Sequence, residues 1–264
     1  MTNVCFAGVT GWTAPPILAG IDAADDLALT AGVSRSAAGQ SLRSATGHGD
    51  GQVYASVAEA LASESVDVLV DYTSASAVKR NVEAAVDAGV HVVVGSSGLT
   101  SADYAVLDDR ARARGVGVFA AGNFSVLAAV LRRSASLAAE KIDSWEIFDF
   151  ASDTKPDVPS GTARELAETL AEVRRPELGV PIEDLEGPAE ARGADIAGTR
   201  VHSVRLPSYV VGAEIVFAAG GERLSMKFDP GTSPDLYAEG TILAIRRVGE
   251  VAGVRRGLDA LLFD

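Results

Sequence analysis

The chain has 264 residues, 47% of them hydrophobic and 22% charged, which suits a soluble globular protein with one large or two modest domains. Its 36 acidic and 23 basic residues give a net charge of −13 without any basic run, so nucleic acid and membrane surfaces are poor candidate partners and a small molecule is expected. No segment reaches the about 18 apolar residues of a membrane span or forms a signal peptide, and the single Cys5 permits no disulfide. A cytoplasmic location is therefore expected.

The first half of the chain alternates short apolar runs with helical patterns. Parallel strands buried on both faces are nearly continuously apolar and need helical crossovers between them. The pattern therefore predicts an α/β fold with a Rossmann-like doubly wound parallel sheet. The predicted strands are Asn3–Gly8, Leu27–Val33, Val66–Tyr72, Val90–Val94 and Gly117–Ala121. The first predicted helix has Pro15 and Pro16 in its first turn, and the others span about Ser56–Ser63, Ala75–Ala88 and Ser101–Arg114.

The pattern changes after Phe124, which predicts a second, α+β domain with a mixed sheet. Gly220 and Gly221 indicate a hairpin between two of its strands. We predict a dinucleotide-binding domain over 1–122 and 241–264, and a substrate-binding and oligomerisation domain over 123–240. The predicted elements are helices to Lys141, over Thr162–Val173, Tyr237–Val248 and Leu258–Leu261, strands Trp145–Phe150, Val201–Arg205, Glu214–Ala218 and Arg223–Phe228, and a surface loop Glu177–Gly198.

A glycine-bearing turn, GVTGWTA, follows the first predicted strand. Gly8 and Gly11 let backbone N–H groups and a helix N-terminus approach a pyrophosphate. Two glycines alone also fit a purely structural turn, but their position between a strand and a helix favours a dinucleotide site. The candidate cofactor residues here are Gly8, Thr10, Gly11, Trp12 and Thr13.

The end of the second predicted strand bears on the choice of cofactor. NAD enzymes place an acid there against the ribose hydroxyls, whereas this chain has Ser34 and Arg35. A guanidinium bonds a 2′-phosphate bidentately, and no carboxylate repels it. NADPH is therefore predicted, with NADH as the possible alternative; Arg35 is otherwise an exposed residue without a ligand.

Three further strand ends carry glycine, hydroxyl or amide groups: DYTSASA, GSSGLT and AAGNF. Open α/β sheets bind ligands at the carboxyl ends of their strands, so these segments are expected to complete the cofactor site. The candidates are Tyr72, Thr73, Gly95, Ser96, Ser97, Ala121, Gly122, Asn123 and Phe124, and no metal site is predicted.

The segment KPDVPSGTA is expected to bind a carboxylate of the substrate. Ser160 can cap the helix that begins here, and the N–H groups of Gly161 and Thr162 can hold an anion at the helix N-terminus. Lys155 adds a positive charge beside that position. Ser152, Lys155, Ser160, Gly161 and Thr162 are the candidate substrate residues, and Lys155 is the candidate catalytic residue.

Over nearly its whole length the chain resembles the dihydrodipicolinate reductase family of lysine biosynthesis. The resemblance rests on GVTG, DYT, GSSG, AGNFS, KPDVPSGTA, VHSVR, GGERL and the closing helix. It implies a first domain that binds NAD(P)H, a second that binds a cyclic dicarboxylate imine, and a homo-oligomer, by resemblance a tetramer. The positions matching the family's cofactor segments are Gly8–Thr13, Arg35, Gly95–Ser97 and Ala121–Phe124, and those matching its substrate segment are Lys155, Gly161 and Thr162.

The chain departs from the family where the chemistry is expected. The family usually carries two histidines three and four residues before the lysine, one a proposed proton donor, and this chain has Ser152 and Ala151. A third histidine position, directly before the lysine, is Thr154. A later histidine is replaced around Phe228, and an expected arginine falls near Pro234.

Three functions remain open from the sequence. The first is an NADPH-dependent reductase that transfers hydride to a small imine or conjugated unsaturated acid other than the family's usual substrate. The second is a 4-hydroxy-tetrahydrodipicolinate reductase with a relocated acid, and the third is a non-catalytic NADPH-binding protein. The leading substitute for the missing acid is Lys155, with Ser152, Asp153, Asp157 and Tyr209 as weaker options.

Overall fold

The computed structural model describes residues 1–263 and divides into two compact units. The first unit comprises Met1–Ser125 and the segment from Pro234 onward, and the second comprises Val126–Ser233. The boundaries between the units thus fall at residues 125/126 and 233/234, whereas the sequence predicts domain boundaries at 122/123 and 240/241. The roles given to the two domains stay predictions.

A seven-stranded parallel sheet forms the first unit. The strands lie in the order β12-β6-β5-β4-β1-β2-β3 and are all parallel, so their numbering falls to β1 and then rises again. Ligands of open α/β sheets bind outside the carboxyl ends of the strands at such a change of order. The expected Rossmann-like sheet is confirmed. Its elements are β1 Thr2–Ala7, α1 Ala14–Asp22, β2 Leu27–Val33, α2 Leu42–Thr46, β3 Gln52–Tyr54, α3 Val57–Ser63, β4 Val68–Asp71, α4 Val78–Asp87, β5 His91–Val94, α5 Ser101–Arg114, β6 Gly117–Ala120, α8 Ala238–Arg247, β12 Gly253–Arg256 and α9 Asp259–Leu262.

The core of this unit explains why its strands read as continuous apolar runs. All residues of β4 are buried, and Val82 and Ala85 of α4 pack in the same core as Leu69 and Val92. Burial on both faces leaves no alternation for a sequence pattern to show. β3, β12 and α2 were not predicted, because elements of three to five residues are too short to display a period.

A five-stranded mixed sheet forms the second unit. Its order is β11-β10-β7-β9-β8, with β7 and β9 parallel and the other pairs antiparallel, so the expected mixed sheet is confirmed. The region expected to be a loop over Glu177–Gly198 contains two short 3₁₀ turns and β8. The elements are α6 Val126–Ala139, β7 Trp145–Ala151, α7 Gly161–Val173, β8 Ala194–Ile196, β9 Thr199–Arg205, β10 Val211–Ala219 and β11 Glu222–Phe228.

Helices α6 and α7 pack on one face of the mixed sheet. Burial alternates along β7, so that Trp145 and Ile147 lie in the core with Leu166 and Leu170 of α7. Asp149 shares that buried face, near the C-terminal end of β7. In the part of the chain that the structure describes, no helix has the length and apolar character needed to cross a bilayer.

Candidate active site

The glycine turn after β1 approaches the end of β4 closely. Gly8 has φ of +94°, and a Cβ atom at this position would lie 2.3 Å from the carbonyl oxygen of Tyr72. Gly11 N–H donates to the Gly8 carbonyl at 2.8 Å and closes the turn. Only glycine fits this backbone path, because a side chain would meet both strain and overlap. The turn therefore packs its backbone directly against the end of β4, and its role in binding a cofactor stays a prediction.

Two prolines reduce the number of N–H donors at the N-terminus of helix α1. It begins at Ala14 and carries Pro15 and Pro16 in its first turn. Proline has no N–H, so two of the donors that usually bind a phosphate at a helix N-terminus are missing. Among the described residues, the N–H groups of Trp12 and Thr13 enter no backbone hydrogen bond, and they remain as candidate phosphate donors.

A pocket of hydroxyl groups lies beside Arg35 at the end of β2. Thr10 Oγ1 and Ser34 Oγ are 2.9 Å apart, and Ser34 Oγ and Ser36 Oγ are 3.2 Å apart. With Arg35 these residues line an open cavity of about 550 Å³, which we call the hydroxyl pocket. Arg35 is exposed and forms no ion pair with any described residue. The sequence predicted three of the four pocket residues and missed Ser36.

Buried Asp71 joins two of the loops predicted to contact the cofactor. Its Oδ1 accepts hydrogen bonds from Thr73 N–H at 3.1 Å, Thr73 Oγ1 at 2.8 Å and Ser96 Oγ at 2.5 Å. Its Oδ2 accepts from Asn81 Nδ2 at 2.8 Å. Ser97, next along the chain, is exposed. Asp71 itself was not among the predicted site residues.

Tyr72 packs inside the same strand-end region. Its ring stacks on Phe6 with centroids 5.8 Å apart, and its hydroxyl lies 2.7 Å from Thr241 Oγ1. Burial raises the pKa of Tyr72, so the phenol stays protonated. A Cβ atom at Gly95 would lie 2.3 Å from the Tyr72 ring. Gly95 is therefore required for packing against Tyr72.

The segment Ala121–Phe124 after β6 turns most of its side chains inward. Ala121, Asn123 and Phe124 are buried, whereas Gly122 is exposed. Asn123 Oδ1 accepts a hydrogen bond from Ser125 N–H at 2.9 Å. The Phe124 ring can contribute to the site only through packing, since it is 1% exposed.

The lysine loop, Ser152–Ser160, connects β7 to α7. Lys155 Nζ lies 2.8 Å from Asp157 Oδ1, and both side chains are about one-third exposed. Ser152 Oγ and Thr154 Oγ1 are 2.9 Å apart, so the hydroxyls at two of the positions where the family's histidines are expected bond each other. The Val158-Pro159 peptide bond is cis.

Ser160 is the N-cap of α7, as the sequence predicts. Its Oγ accepts from Ala163 N–H at 3.3 Å, and its own N–H donates to Asp149 Oδ2 at 3.0 Å. Ser160 is fully buried, so both groups are occupied within the protein. Gly161 and Thr162 form the first turn of this helix, and their part in binding a carboxylate stays a prediction.

The structure adds a buried ion pair that the sequence prediction missed. Arg205 Nη2 lies 2.8 Å from Asp149 Oδ2, and Ser203 Oγ donates to the same oxygen at 2.9 Å. Asp149 is 0% exposed. An acid within the apolar strand IFDFA was the available signal, because a buried carboxylate requires a partner.

The histidines of the chain are all bonded outside the lysine loop. Ala151, at one expected histidine position, is a buried residue of β7. The lysine loop therefore contains the ammonium group of Lys155 and no imidazole. The histidine contacts are His48 Nδ1 to Asp22 Oδ2 at 3.0 Å, His91 Nδ1 to Gly117 N–H at 2.9 Å, and His202 Nε2 to Glu146 Oε2 at 2.6 Å.

Comparison with known proteins covers the whole chain. The family model described as "Dihydrodipicolinate reductase, N-terminus" matches residues 2–124, and that described as "Dihydrodipicolinate reductase, C-terminus" matches residues 123–262. The 4-hydroxy-tetrahydrodipicolinate reductase of Halalkalibacterium halodurans is 35% identical, covering 99% of this chain and all of the relative. The enzyme of the same name from Moorella thermoacetica is 36% identical, covering 98% of this chain and 97% of the relative.

A solved structure agrees with these matches. The dipicolinate-bound dihydrodipicolinate reductase from Paenisporosarcina sp. TG-14 superposes with a TM-score of 0.74 at 26% identity, covering 98% of this chain and 99% of that one. The family models, the full-length relatives and the solved structure thus all indicate the same family. The chain belongs to the dihydrodipicolinate reductase family of nicotinamide-nucleotide-dependent oxidoreductases.

Proposed function

We propose that this protein is an NADPH-dependent reductase that transfers hydride to a small imine or conjugated unsaturated acid that differs from the family's usual substrate. The observation that carries the proposal is the lysine loop. It keeps Lys155 and the N-terminus of α7, while Ala151, Ser152 and Thr154 stand where the resemblance implies histidines. The carboxylate-binding part is thus retained, and the part expected to deliver the proton has changed.

The hydroxyl pocket supports NADPH over NADH. A 2′-phosphate carries oxygen acceptors, and the pocket offers an unpaired guanidinium with the hydroxyls of Thr10, Ser34 and Ser36. The glycine turn from Gly8 to Gly11 follows β1, the strand at which the order of the sheet reverses, and this position fits a dinucleotide. When bound, the nicotinamide supplies the hydride, and NADH is the alternative cofactor.

Substrate binding is assigned to Lys155 and the first turn of α7. Backbone N–H groups of Gly161 and Thr162 stabilise a carboxylate at the positive end of the helix dipole. Lys155 must shift part of its ion pair from Asp157 to the substrate. Ser160 and Ser152 contribute through the shape of the loop, since their polar groups bond within it.

Proton delivery is assigned to the Lys155 ammonium, which loses a proton to the reduced nitrogen or carbon and regains it from water. The ammonium group is partly exposed, so exchange with solvent is open. Ser152, Asp153, Asp157 and Tyr209 are the weaker donors. Tyr209 stacks on Phe150 with centroids 5.3 Å apart.

A second candidate is the family's own reaction with a relocated acid. It is favoured by 35% identity over 99% of the chain to a relative named 4-hydroxy-tetrahydrodipicolinate reductase. In this case Lys155 would serve the same dicarboxylate substrate. A homotetramer, by family resemblance, belongs to both candidates and is tested by analytical ultracentrifugation of the purified protein.

The deciding experiment is a screen for NADPH oxidation. We expect cyclic imines with one carboxylate or unsaturated keto acids to react faster than 4-hydroxy-tetrahydrodipicolinate. Lys155→Ala is expected to lower kcat/KM by about 10²- to 10⁴-fold, because it removes both a charge and the proposed acid. Lys141→Ala, at an exposed lysine of the same unit, is the matched control and should leave kcat/KM unchanged.

Two outcomes would redirect the proposal. If 4-hydroxy-tetrahydrodipicolinate is the best substrate, the altered-substrate reading is wrong and the second candidate holds. If NADPH binds but no compound in the screen is reduced, the protein is a non-catalytic NADPH-binding member of the family.

A further inference from the structure

We infer that Asp149 and Arg205 are positioning residues that fix the shape of the lysine loop for carboxylate binding. The inference rests on the proposed function, because that function gives the loop its ligand. Neither residue is assigned to contact the substrate. Both act by holding backbone groups of the loop in place.

Asp149 fixes the end of the lysine loop. Its Oδ2 accepts the N–H of Ser160, the N-cap of α7, at 3.0 Å. The same oxygen accepts from Ser203 Oγ at 2.9 Å and Arg205 Nη2 at 2.8 Å. Since Asp149 is fully buried at the C-terminal end of β7, it ties the start of α7 to the rigid sheet. The direction of the helix N-terminus therefore depends on this carboxylate.

Arg205 fixes the middle of the lysine loop. Its Nη2 donates both to Asp149 Oδ2 and to the Asp157 carbonyl oxygen, each at 2.8 Å. Its Nη1 donates to the Val204 carbonyl at 3.0 Å, which holds the guanidinium against β9. One side chain on β9 thus reaches the carboxylate on β7 and the loop backbone together.

The contact with Asp157 links the Asp149–Arg205 ion pair to Lys155. Lys155 Nζ lies 2.8 Å from Asp157 Oδ1, while the backbone of the same aspartate is held by Arg205. Movement of Asp157 would therefore change the position of the Lys155 ammonium. The Arg205 guanidinium thus connects the Asp149 carboxylate to the backbone of Asp157, whose side chain in turn pairs with Lys155.

Stability alone is a weak reason for such a pair. The cost of removing two charges from water commonly offsets their attraction, so buried ion pairs contribute little net stability compared with apolar residues. What this pair provides is geometry, since the donors and acceptors of a guanidinium and a carboxylate have fixed directions. A lysine at position 205 would carry the charge, but a single ammonium lacks the planar fork that meets these acceptors.

The test compares Arg205→Met, Arg205→Lys and Asp149→Asn with the wild-type protein loaded with NADPH. Calorimetry measures the Kd for pyridine-2,6-dicarboxylate, and hydrogen exchange measures amide protection from Lys155 to Ala163. We expect Arg205→Met to raise the Kd by about 10- to 100-fold and Arg205→Lys by about 10-fold, because a charged hydrogen bond to the loop is lost. Loop exchange should accelerate in both, while the Kd for NADPH stays within about 2-fold of the wild type.

Arg192→Met is the matched control. Arg192 pairs with Glu146, which lies on β7 as Asp149 does, but Arg192 makes no described contact with the lysine loop. It should leave the dicarboxylate Kd and the loop exchange unchanged. A double variant, Asp149→Asn with Arg205→Met, should weaken binding no more than Arg205→Met alone, because the two residues act as one unit.

The outcomes separate this inference from the proposed function. If Arg205→Met and Arg205→Lys lower the melting temperature but leave loop exchange and dicarboxylate Kd at wild-type values, the pair is only structural and the inference is wrong. If the wild-type protein fails to bind the dicarboxylate, the second candidate function fails, because it requires a dicarboxylate substrate, and loop exchange alone tests the positioning role. Unchanged loop exchange in both Arg205 variants then overturns the positioning role, and accelerated exchange supports it.

Discussion

Two buried aspartates hold the loops of the two units in different ways. Asp71 in the first unit and Asp149 in the second are both 0% exposed, and both lie at or near the C-terminal end of a strand. Among the described residues, Asp71 is bonded by neutral hydroxyl, amide and N–H donors, whereas Asp149 is bonded by a guanidinium as well. The first unit thus fixes its loops with neutral groups, and the second uses a charge.

This difference determines which cations are available for ligands. In the first unit Arg35 has no ion-pair partner among the described residues. In the second unit Lys155 and Arg205 are each paired with an aspartate, so that cluster of two cations and two carboxylates is formally neutral. Anion recognition should therefore depend on the unpaired charge of Arg35 in the first unit, and on Lys155 together with the geometry of its loop in the second.

The largest expected effect tests the neutral network around Asp71. Asp71→Asn replaces the carboxylate that joins Thr73 and Ser96, so we expect unfolding free energy to fall by about 2 to 3 kcal/mol. Both NADPH and NADH should bind more weakly, since the two loops lose their common anchor. Chemical denaturation and cofactor titration measure the two effects.

Asp67→Asn is the matched control for this prediction. Asp67 lies just before β4 and accepts one bond, from Asn3 N–H at 2.7 Å, at an exposed position. It should change stability by less than about 1 kcal/mol. If Asp71→Asn changes stability and cofactor binding no more than Asp67→Asn does, the neutral network does not hold the loops, and the proposed difference between the two units is wrong.

The next effect concerns the charge of the hydroxyl pocket. Arg35→Ala should raise the Kd for NADPH by about 10-fold and leave the Kd for NADH nearly unchanged, because only NADPH has the 2′-phosphate. Fluorescence titration of the reduced cofactors measures both constants. Arg43→Ala, which removes an arginine already paired with Asp50 at 2.8 Å, should alter neither. Equal weakening of NADPH and NADH by Arg35→Ala would refute the 2′-phosphate assignment.

The smallest effect is a pH dependence that belongs to the first unit. Burial lowers the pKa of His91, whose Nδ1 accepts a hydrogen bond from Gly117 N–H. The unfolded chain therefore binds a proton at a higher pH than the fold does, so this contribution to stability is complete above the unfolded pKa and declines as the pH falls toward the folded value. The melting temperature should be lower near about pH 5 than near about pH 7.5.

His91→Asn should flatten this dependence, because the asparagine oxygen can accept the same bond without titrating. His48→Asn, at a histidine paired with Asp22 near the surface, is the comparison. A pH profile that is identical in wild type and His91→Asn would assign the effect to other groups.

The sequence predicts long, bounded elements well. Helix α5 has its predicted limits, because a capping box of Thr100 and Asp103 marks its start and Gly115 its end. Strand β2 likewise matches its predicted range, Leu27–Val33. β3, β8 and β12 were missed because strands of three or four residues carry no usable period, and neighbouring strands decide their pairing.

The sequence predicts the site residues that belong to short local motifs, but not those that are brought together from distant parts of the chain. Gly8, Ser34 and Lys155 belong to short motifs, so local order suffices to find them. The partners of Asp71 and Asp149 lie far along the chain; Arg205 is 56 residues from Asp149. An acid within an apolar strand signals that a partner exists, but only the folded sheet identifies it.

The positions of the two tryptophans give each unit its own optical probe. Trp12 lies on the glycine turn, is 51% exposed, and meets the Tyr237 ring edge-on at 6.2 Å. Trp145 is 3% exposed in the core of the second unit, where its Nε1–H donates to Thr199 Oγ1 at 3.3 Å. These are the chain's only indoles. Single-tryptophan variants therefore allow the emission wavelength to test for cofactor binding in the first unit and to follow melting of the second without an added label.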